Sequence, residues 1–394
     1  MNFRIILLAL GIFAVNMEGL MIAGILPSIA NQFQVSVSEA GLLVTFFSLV
    51  YAIGSPILTT VLGQVEKRKL LVGSLIAFTV GNIICSLSTA YEWMLVGRII
   101  AAIGAGAFSP AATATAASLV SPEKRGRAIS IVVAGQTVAM IVGVPIGIWL
   151  AISYNWQILF WIVAAAALLA SLLIRLLFPV LPSTSFVSLK VRMAIMKRSE
   201  ILLALFTTLS WGIGIFSVYT YIAEIFIGLG AVGKTVSIVF LIAGIANFIG
   251  VSLGGYSVDR IGSPRTITLS LPILGIALAL FSVVSTMPPF KGALEVGFAA
   301  AVLWGISTYM FNPAQQHRLT TMSGQAAGIA LSLHASFVYL GSALGAILGG
   351  LVIQYGAVAY IGYFGGGWIL IALLVFGASM RVASTRQQAN EASG

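Results

Sequence analysis

Charge is what this sequence has least of. Only 8% of its 394 residues are Asp, Glu, Lys or Arg, where a soluble domain carries about 25%. Thirty ionisable side chains cannot cover the surface of a water-soluble chain this long, which excludes a soluble enzyme, a nucleic-acid module and a disordered protein together. There is one cysteine, Cys85, inside an apolar run, so no intrachain disulfide can form. A lone thiol there reads as a small hydrophobe. No Gly-Lys-Ser/Thr phosphate loop is present, so nothing supports an ATP-driven pump. Paired carboxylates, metal-ligand spacing and a nucleophile–histidine–acid set at one depth are also missing. The chain is therefore read as not an enzyme, with no metal and no cofactor.

What is there is apolar: 59% of the residues. Twelve apolar runs, divided by polar punctuation, fall at about 5–29, 40–63, 70–90, 93–118, 128–152, 155–178, 201–227, 233–256, 266–286, 293–316, 325–353 and 358–380. Twelve helices of about 20 residues would use roughly 250 residues and leave short loops. The first run reaches Ala30 without a small-residue cleavage pattern, so it is read as a span and not a signal peptide. The runs are continuously apolar, which excludes a barrel. The expected fold is an all-α polytopic membrane protein.

The basic residues set the expected orientation. Seventeen of the 20 fall on one side: Arg4, Lys67, Arg68, Lys69, Lys124, Arg125, Arg127, Arg175, Lys190, Arg192, Lys197, Arg198, Arg260, Arg265, Arg318, Arg381 and Arg386. Lys234 and Lys291 fall on the other side, and Arg98 lies within a span. The positive-inside rule then places both termini in the cytoplasm. The net charge of +10 is thus a topology signal and not a nucleic-acid footprint. The longest polar stretch, 179–200, separates residues 1–178 from 201–380, with a cytoplasmic tail at 381–394. The halves echo each other. Gly255 to Arg265, after span 8, maps onto Leu58 to Arg68, after span 2, at an offset of 197, half the length. Gly143-Val-Pro-Ile-Gly147 in span 5 maps onto Gly341-Ser-Ala-Leu-Gly345 in span 11. Two such repeats with a pathway between them form a recurring transporter plan.

These residues resemble the major facilitator superfamily, and within it the twelve-helix drug/proton antiporters. Gly255-x-x-x-Asp259-Arg260-x-Gly262-x-x-Arg265 is similar to the superfamily's cytoplasmic loop signature. Arg98, followed by Gly104, Gly106 and Ala107, is similar to its span-4 arginine motif. Gly135, Gly143, Pro145 and Gly147 resemble the span-5 antiporter motif associated with export. Tyr219-Thr-Tyr-Ile222 and Pro313-Ala-Gln-Gln316 resemble a branch with arabinose-efflux-like, chloramphenicol-resistance and purine-efflux members. The first-half loop departs from the signature. Leu62 stands at the aspartate, Leu58 and Val65 at the glycines, and only the basic cluster with Lys67 and Arg68 survives. Glu224 stands where several relatives carry proline. The resemblance implies two pseudo-symmetric six-helix bundles with spans 1, 4, 7 and 10 lining a central cavity. It also implies a cytoplasmic gate held by Asp259, Arg260 and Arg265.

Glu18 is the one acid expected deep within a span, roughly 20 Å from the start of span 1. An intramembrane carboxylate is costly and faces a cavity or a partner. Arg98 is expected at a comparable depth, so the two form either a proton-coupling pair or a static ion pair. Burial disfavours the charge on Glu18 and a guanidinium favours it. Asn16, Trp211, Tyr219, Tyr221, Trp304, Tyr309, Asn312 and Gln315 are candidate cavity residues, although aromatics also serve helix packing. His334 is either titratable or a hydrogen-bonded core residue, and the core reading is preferred. His317 reads as a solvated loop residue, and Glu224 and Glu295 as wet outer positions. The glycines at four-residue spacing on spans 5, 8 and 11 are read as close-packing positions joining the halves.

The expected function is export of a small organic molecule (a drug, a sugar, or a nucleobase or nucleoside) by proton antiport through alternating access. Uptake by proton symport and passive facilitation are the alternatives. The partners are substrate, protons and the bilayer of the cytoplasmic membrane, with the chain acting as a monomer and the proton gradient in place of a cofactor.

Overall fold

The computed structural model describes residues 3–183, 189–288 and 290–392. Every regular element among them is helical. In the first half, spans 1–4 are Phe3–Phe33, Leu42–Val61, Lys67–Leu87 and Tyr91–Ser118. Span 5 runs from Arg125 to Ser153, and span 6 is Gln157–Leu177. Spans 7–12 are Ser199–Thr220, Thr235–Ile261, Ser263–Thr286, Ala293–Ser323, Ala327–Tyr355 and Ile361–Ala392. Each is long and apolar enough to cross a membrane, spans 10 and 11 as parts of one apolar stretch, Ala293–Tyr355. The chain is thus a multi-pass membrane protein.

Local chemistry explains the ends and breaks. Before span 2, Ser36 and Glu39 form a capping box: the Ser36 hydroxyl accepts from the Glu39 amide, and the Glu39 carboxylate accepts from the Ser36 amide at 2.8 Å. Span 3 is capped by Glu66, which accepts from the Arg68 amide. Spans 8 and 9 are joined by Gly262 alone, at φ +80°, a left-handed conformation that costs other residues energy. That is why the signature carries glycine there. Span 5 widens to a π-turn over Ala139–Gly143 just before Pro145.

Several expectations are corrected. Span 7 does not run unbroken over 201–227: it stops at Thr220, and after Tyr221 (φ −113°, ψ 17°) a short helix spans Ile222–Gly228. Residues 381–392 extend the helix of span 12. His317 sits on the helix of span 10 and not in a loop. The linker holds a helix, Leu189–Met196, and its residues 184–188 lie outside the described set.

Two compact units emerge. One contains residues 1–186 and 220–244, the other 187–219 and 245–394. Residues 220–244 thus pack with the first-half spans, a departure from a division at the linker. The reason is shape complementarity inside that unit: Gly24 of span 1 leaves room only for Ile148 and Phe240, and Gly244 lies against the backbone of Met140.

Within the first unit, spans 3 and 4 meet through Gly81, Gly97 and Gly104, each against neighbouring backbone. Gly135 meets the backbone of Ala9 in span 1, and Gly143 and Gly147 meet Phe13 and Met17. In the second unit Gly341 and Gly345 meet span 7 at Gly212 and Ile213, and Gly250 and Gly254 meet span 10 at Ile306 and Met310. These contacts hold helices together inside each unit, which corrects the expectation that they join the halves. The pairing of span 5 with span 1 is repeated by span 11 with span 7.

Candidate functional site

The first unit buries one complete ion pair. Glu18 of span 1 and Arg98 of span 4 are both 0% exposed, and Arg98 Nη1 donates to Glu18 Oε1. Arg98 Nε also donates to the Leu43 carbonyl of span 2 at 3.2 Å, and its guanidinium lies 4.2 Å from the centre of the Phe47 ring. Three helices therefore meet on one guanidinium. Either charge alone would face a desolvation cost of several kcal/mol, so the two are mutually dependent. Their satisfaction is incomplete: Glu18 Oε2 and Arg98 Nη2 are buried without a hydrogen-bond partner. Asn16 stands apart, donating to the Ile12 carbonyl of its own helix.

The second unit gathers a different set. Span 7 and span 10 meet along a column of stacked rings, Tyr219 on Trp304 (5.9 Å) and Trp211 on Phe311 (4.9 Å). Below the rings lies a polar chain. Gln315 Nε2 donates to the Ala204 carbonyl at 2.6 Å and to Thr208 Oγ1 at 3.2 Å. Thr208 Oγ1 lies 3.1 Å from His334 Nδ1, and His334 Nε2 lies 3.2 Å from Asn312 Oδ1. A neutral imidazole with its proton on Nε2 satisfies both contacts, accepting from Thr208 and donating to Asn312. His334 is thus the hydrogen-bonded core residue. The indole nitrogens of Trp211 and Trp304, Thr308 Oγ1 and Gln315 Oε1 are buried without partners. Every named member of this cluster is uncharged. Tyr309 is half-buried on the same helix.

Tyr221 does not join Tyr219. It is 1% exposed and packs in the first unit, its ring filling the space beside Gly41. Glu224 is half-buried one turn further on, and Glu295 and His317 are exposed. His317 Nδ1 lies 2.7 Å from Ser263 Oγ.

Asp259, Arg260 and Arg265 are exposed. Arg260 lies over the Tyr256 ring at 5.5 Å, and no ion pair of Asp259 is found among the described residues. In the first half, Lys67 Nζ donates to Ser118 Oγ at 3.1 Å, and Arg68 donates to the Phe178 carbonyl. Sequence reasoning missed Glu66 in this loop. Its Oε1 accepts from the amides of Arg68 and Leu181, both at 3.1 Å. Burial opposes ionisation there, but the Leu181 and Arg68 amides and the charges of Arg68 and Lys69 hold its carboxyl below the ordinary value. The available signal was an acid directly before a basic cluster, the pattern of a helix cap. Thr208 and Phe47 were also missed, since nothing in a span's sequence marks which threonine meets a histidine or which phenylalanine lies against a guanidinium.

Comparison with known proteins places this geometry in context. The model of the Major Facilitator Superfamily matches residues 8–328. The chain is 32% identical over 374 residues to the uncharacterized MFS-type transporter YbcL of Bacillus subtilis (strain 168), covering 95% of this chain and 94% of that one. It is 29% identical to the inner membrane transport protein YdhP of Escherichia coli (strain K12), with 90% of each chain covered. It is 26% identical to a protein named as a probable sugar efflux transporter in Mannheimia succiniciproducens, covering 92% and 90%. Among solved structures, a mutant of the nucleoside transporter NupG superposes with TM-score 0.75 at 13% identity, covering 96% of this chain and all of that one. A bacterial homolog of the human lysosomal transporter Spinster, inward-facing, gives 0.75 at 17% identity, covering 97% and 98%.

Proposed function

This chain belongs to the Major Facilitator Superfamily, and from that premise we propose that it exports a small organic molecule in exchange for protons. The observation that carries this reading is the wholly buried Glu18–Arg98 pair, with one carboxylate oxygen left unbonded. A proton arriving on Glu18 neutralises the carboxylate and frees Arg98, so one small event reorganises the meeting point of spans 1, 2 and 4. Loss of that proton restores the pair. Exchange requires proton and substrate to prefer opposed states of one cycle, because a ligand with equal affinity for both states shifts neither.

The uncharged cluster of Trp211, Trp304, Asn312, Gln315 and His334 supplies recognition in the second unit. Flat rings beside unsatisfied donors and acceptors suit a molecule with apolar faces and polar edges. The span-5 glycines and the name of the Mannheimia relative support the outward direction. The one-sided basic residues support cytoplasmic termini.

Reconstitution tests the proposal. Proteoliposomes of wild type and Glu18→Gln are loaded with radiolabelled arabinose, inosine or chloramphenicol and given an imposed pH gradient. Wild type should drive one of these probes against its concentration gradient, and Glu18→Gln should lose that while retaining exchange at equal pH. Uphill transport by the variant at the wild-type rate would overturn the role of Glu18. Accumulation on the opposite gradient would mean symport, and indifference to pH a passive facilitator.

A further inference from the structure

In the second unit, Arg318 is a buried cation with no ion pair among the described residues. Arg318, in the last turns of span 10, is 6% exposed. Its Nη2 donates to Ser379 Oγ of span 12 at 2.7 Å, and the guanidinium lies 5.0 Å from the centre of the Phe376 ring. Its Nη1 is buried and bonded to nothing.

The acids at that end of the molecule are few and committed elsewhere. Glu66 accepts from the Arg68 and Leu181 amides, Glu200 pairs with Arg198 at 2.8 Å, and Glu123 and Asp259 are exposed. Glu391 is carried twelve residues beyond Ser379 along one helix, roughly 18 Å at 1.5 Å per residue. A guanidinium cannot escape burial by losing its proton, as an ammonium can. One hydroxyl and one ring face compensate a buried charge poorly.

We propose that Arg318 anchors an anion site at the basic end of spans 10 and 12, taking a phosphate group. The planar fork of arginine matches phosphate oxygens in pairs, and Ser379 Oγ stands beside Nη2 as a second polar contact. Exposed Arg381 lies two residues beyond Ser379. Basic recesses between helices on the cytoplasmic side are where headgroups of anionic lipids bind. The phosphate belongs either to such a headgroup or to free inorganic phosphate, and the test separates the two.

Full-length protein in detergent is mixed with equal phosphatidylglycerol and phosphatidylethanolamine and examined by native mass spectrometry. In a second arm, thermal stability is read with and without inorganic phosphate. Wild type should retain at least threefold more phosphatidylglycerol, Arg318→Met should show no preference, and Lys190→Gln, at an exposed cation, should match wild type. A phosphate-dependent rise in Tm lost in Arg318→Met, without lipid preference, assigns the same site to the free anion. Equal lipid retention by wild type and Arg318→Met with no phosphate effect overturns the site, as does an equal loss in Lys190→Gln. If Arg318→Met does not fold, Arg318→Lys is read instead. It keeps the charge and loses the fork, so preference should fall at least twofold, and no fall overturns the proposal.

Discussion

The ring of Tyr221 fills the space in which a side chain on Gly41 would begin. Tyr221 interrupts span 7, and Gly41 opens span 2, so two residues 180 positions apart in the chain fix each other's identity. A methyl group on Gly41 requires the tyrosine to move. Gly41→Ala should therefore destabilise by about 1–3 kcal/mol through overpacking. Combining it with Tyr221→Ala should cost less than the sum of the single changes, because both act on one contact. Thermal denaturation of the four proteins in detergent measures the coupling, and strict additivity would remove the contact from the account.

The Glu18–Arg98 pair gives a stability prediction separate from transport. Arg98→Met strands a buried carboxylate and should cost about 3–5 kcal/mol, whereas Glu18→Leu with Arg98→Met leaves no uncompensated charge and should recover much of it. Chemical denaturation of the two variants against wild type checks this order. Equal losses would mean that the pair contributes chiefly through packing on Phe47.

Glycines divide by what surrounds them. Gly81 lies against the backbone of Gly97 and Ala101, whereas Gly73 on the same helix has open space. Gly81→Ala should lower Tm markedly, since backbone cannot give way. Gly73→Ala should be neutral or should stabilise by up to about 1 kcal/mol, the helix-propensity gain. Differential scanning fluorimetry distinguishes them.

Acid should loosen the cap of span 3. The Glu66 carboxyl is held below its ordinary value by the Leu181 and Arg68 amides against the opposing effect of burial. A depressed folded value means that its contribution is present above the unfolded value, about 4.3, and is lost as pH falls through the folded value. Glu66→Gln should thus narrow the stability gap from wild type as pH drops from 7 towards 3. A gap that stays constant across that range would deny the carboxylate any ionic contribution.

Composition and periodicity alone determined a twelve-span helical membrane protein with a repeat, because a bilayer accepts only long apolar segments whose backbone bonds are satisfied within them. Glu18 and Arg98 were legible as partners for the same reason: a charge at that depth needs an opposite one. Gly262 was legible only through its place in the loop signature; that it alone joins spans 8 and 9, at a positive φ, came from the structure. The rest depended on how helices rotate against each other. No apolar sequence states which face of span 7 meets span 10, so Thr208 beside His334 and the separation of Tyr219 from Tyr221 by a helix break came only from the tertiary structure. The close-packing glycines were recognisable by spacing, but their partners were not, since a small residue admits any backbone that fits. The same holds for Arg318. Its sequence position marked a basic terminus, and only packing against Ser379 and Phe376 turned it into a buried cation with no ion pair among the described residues.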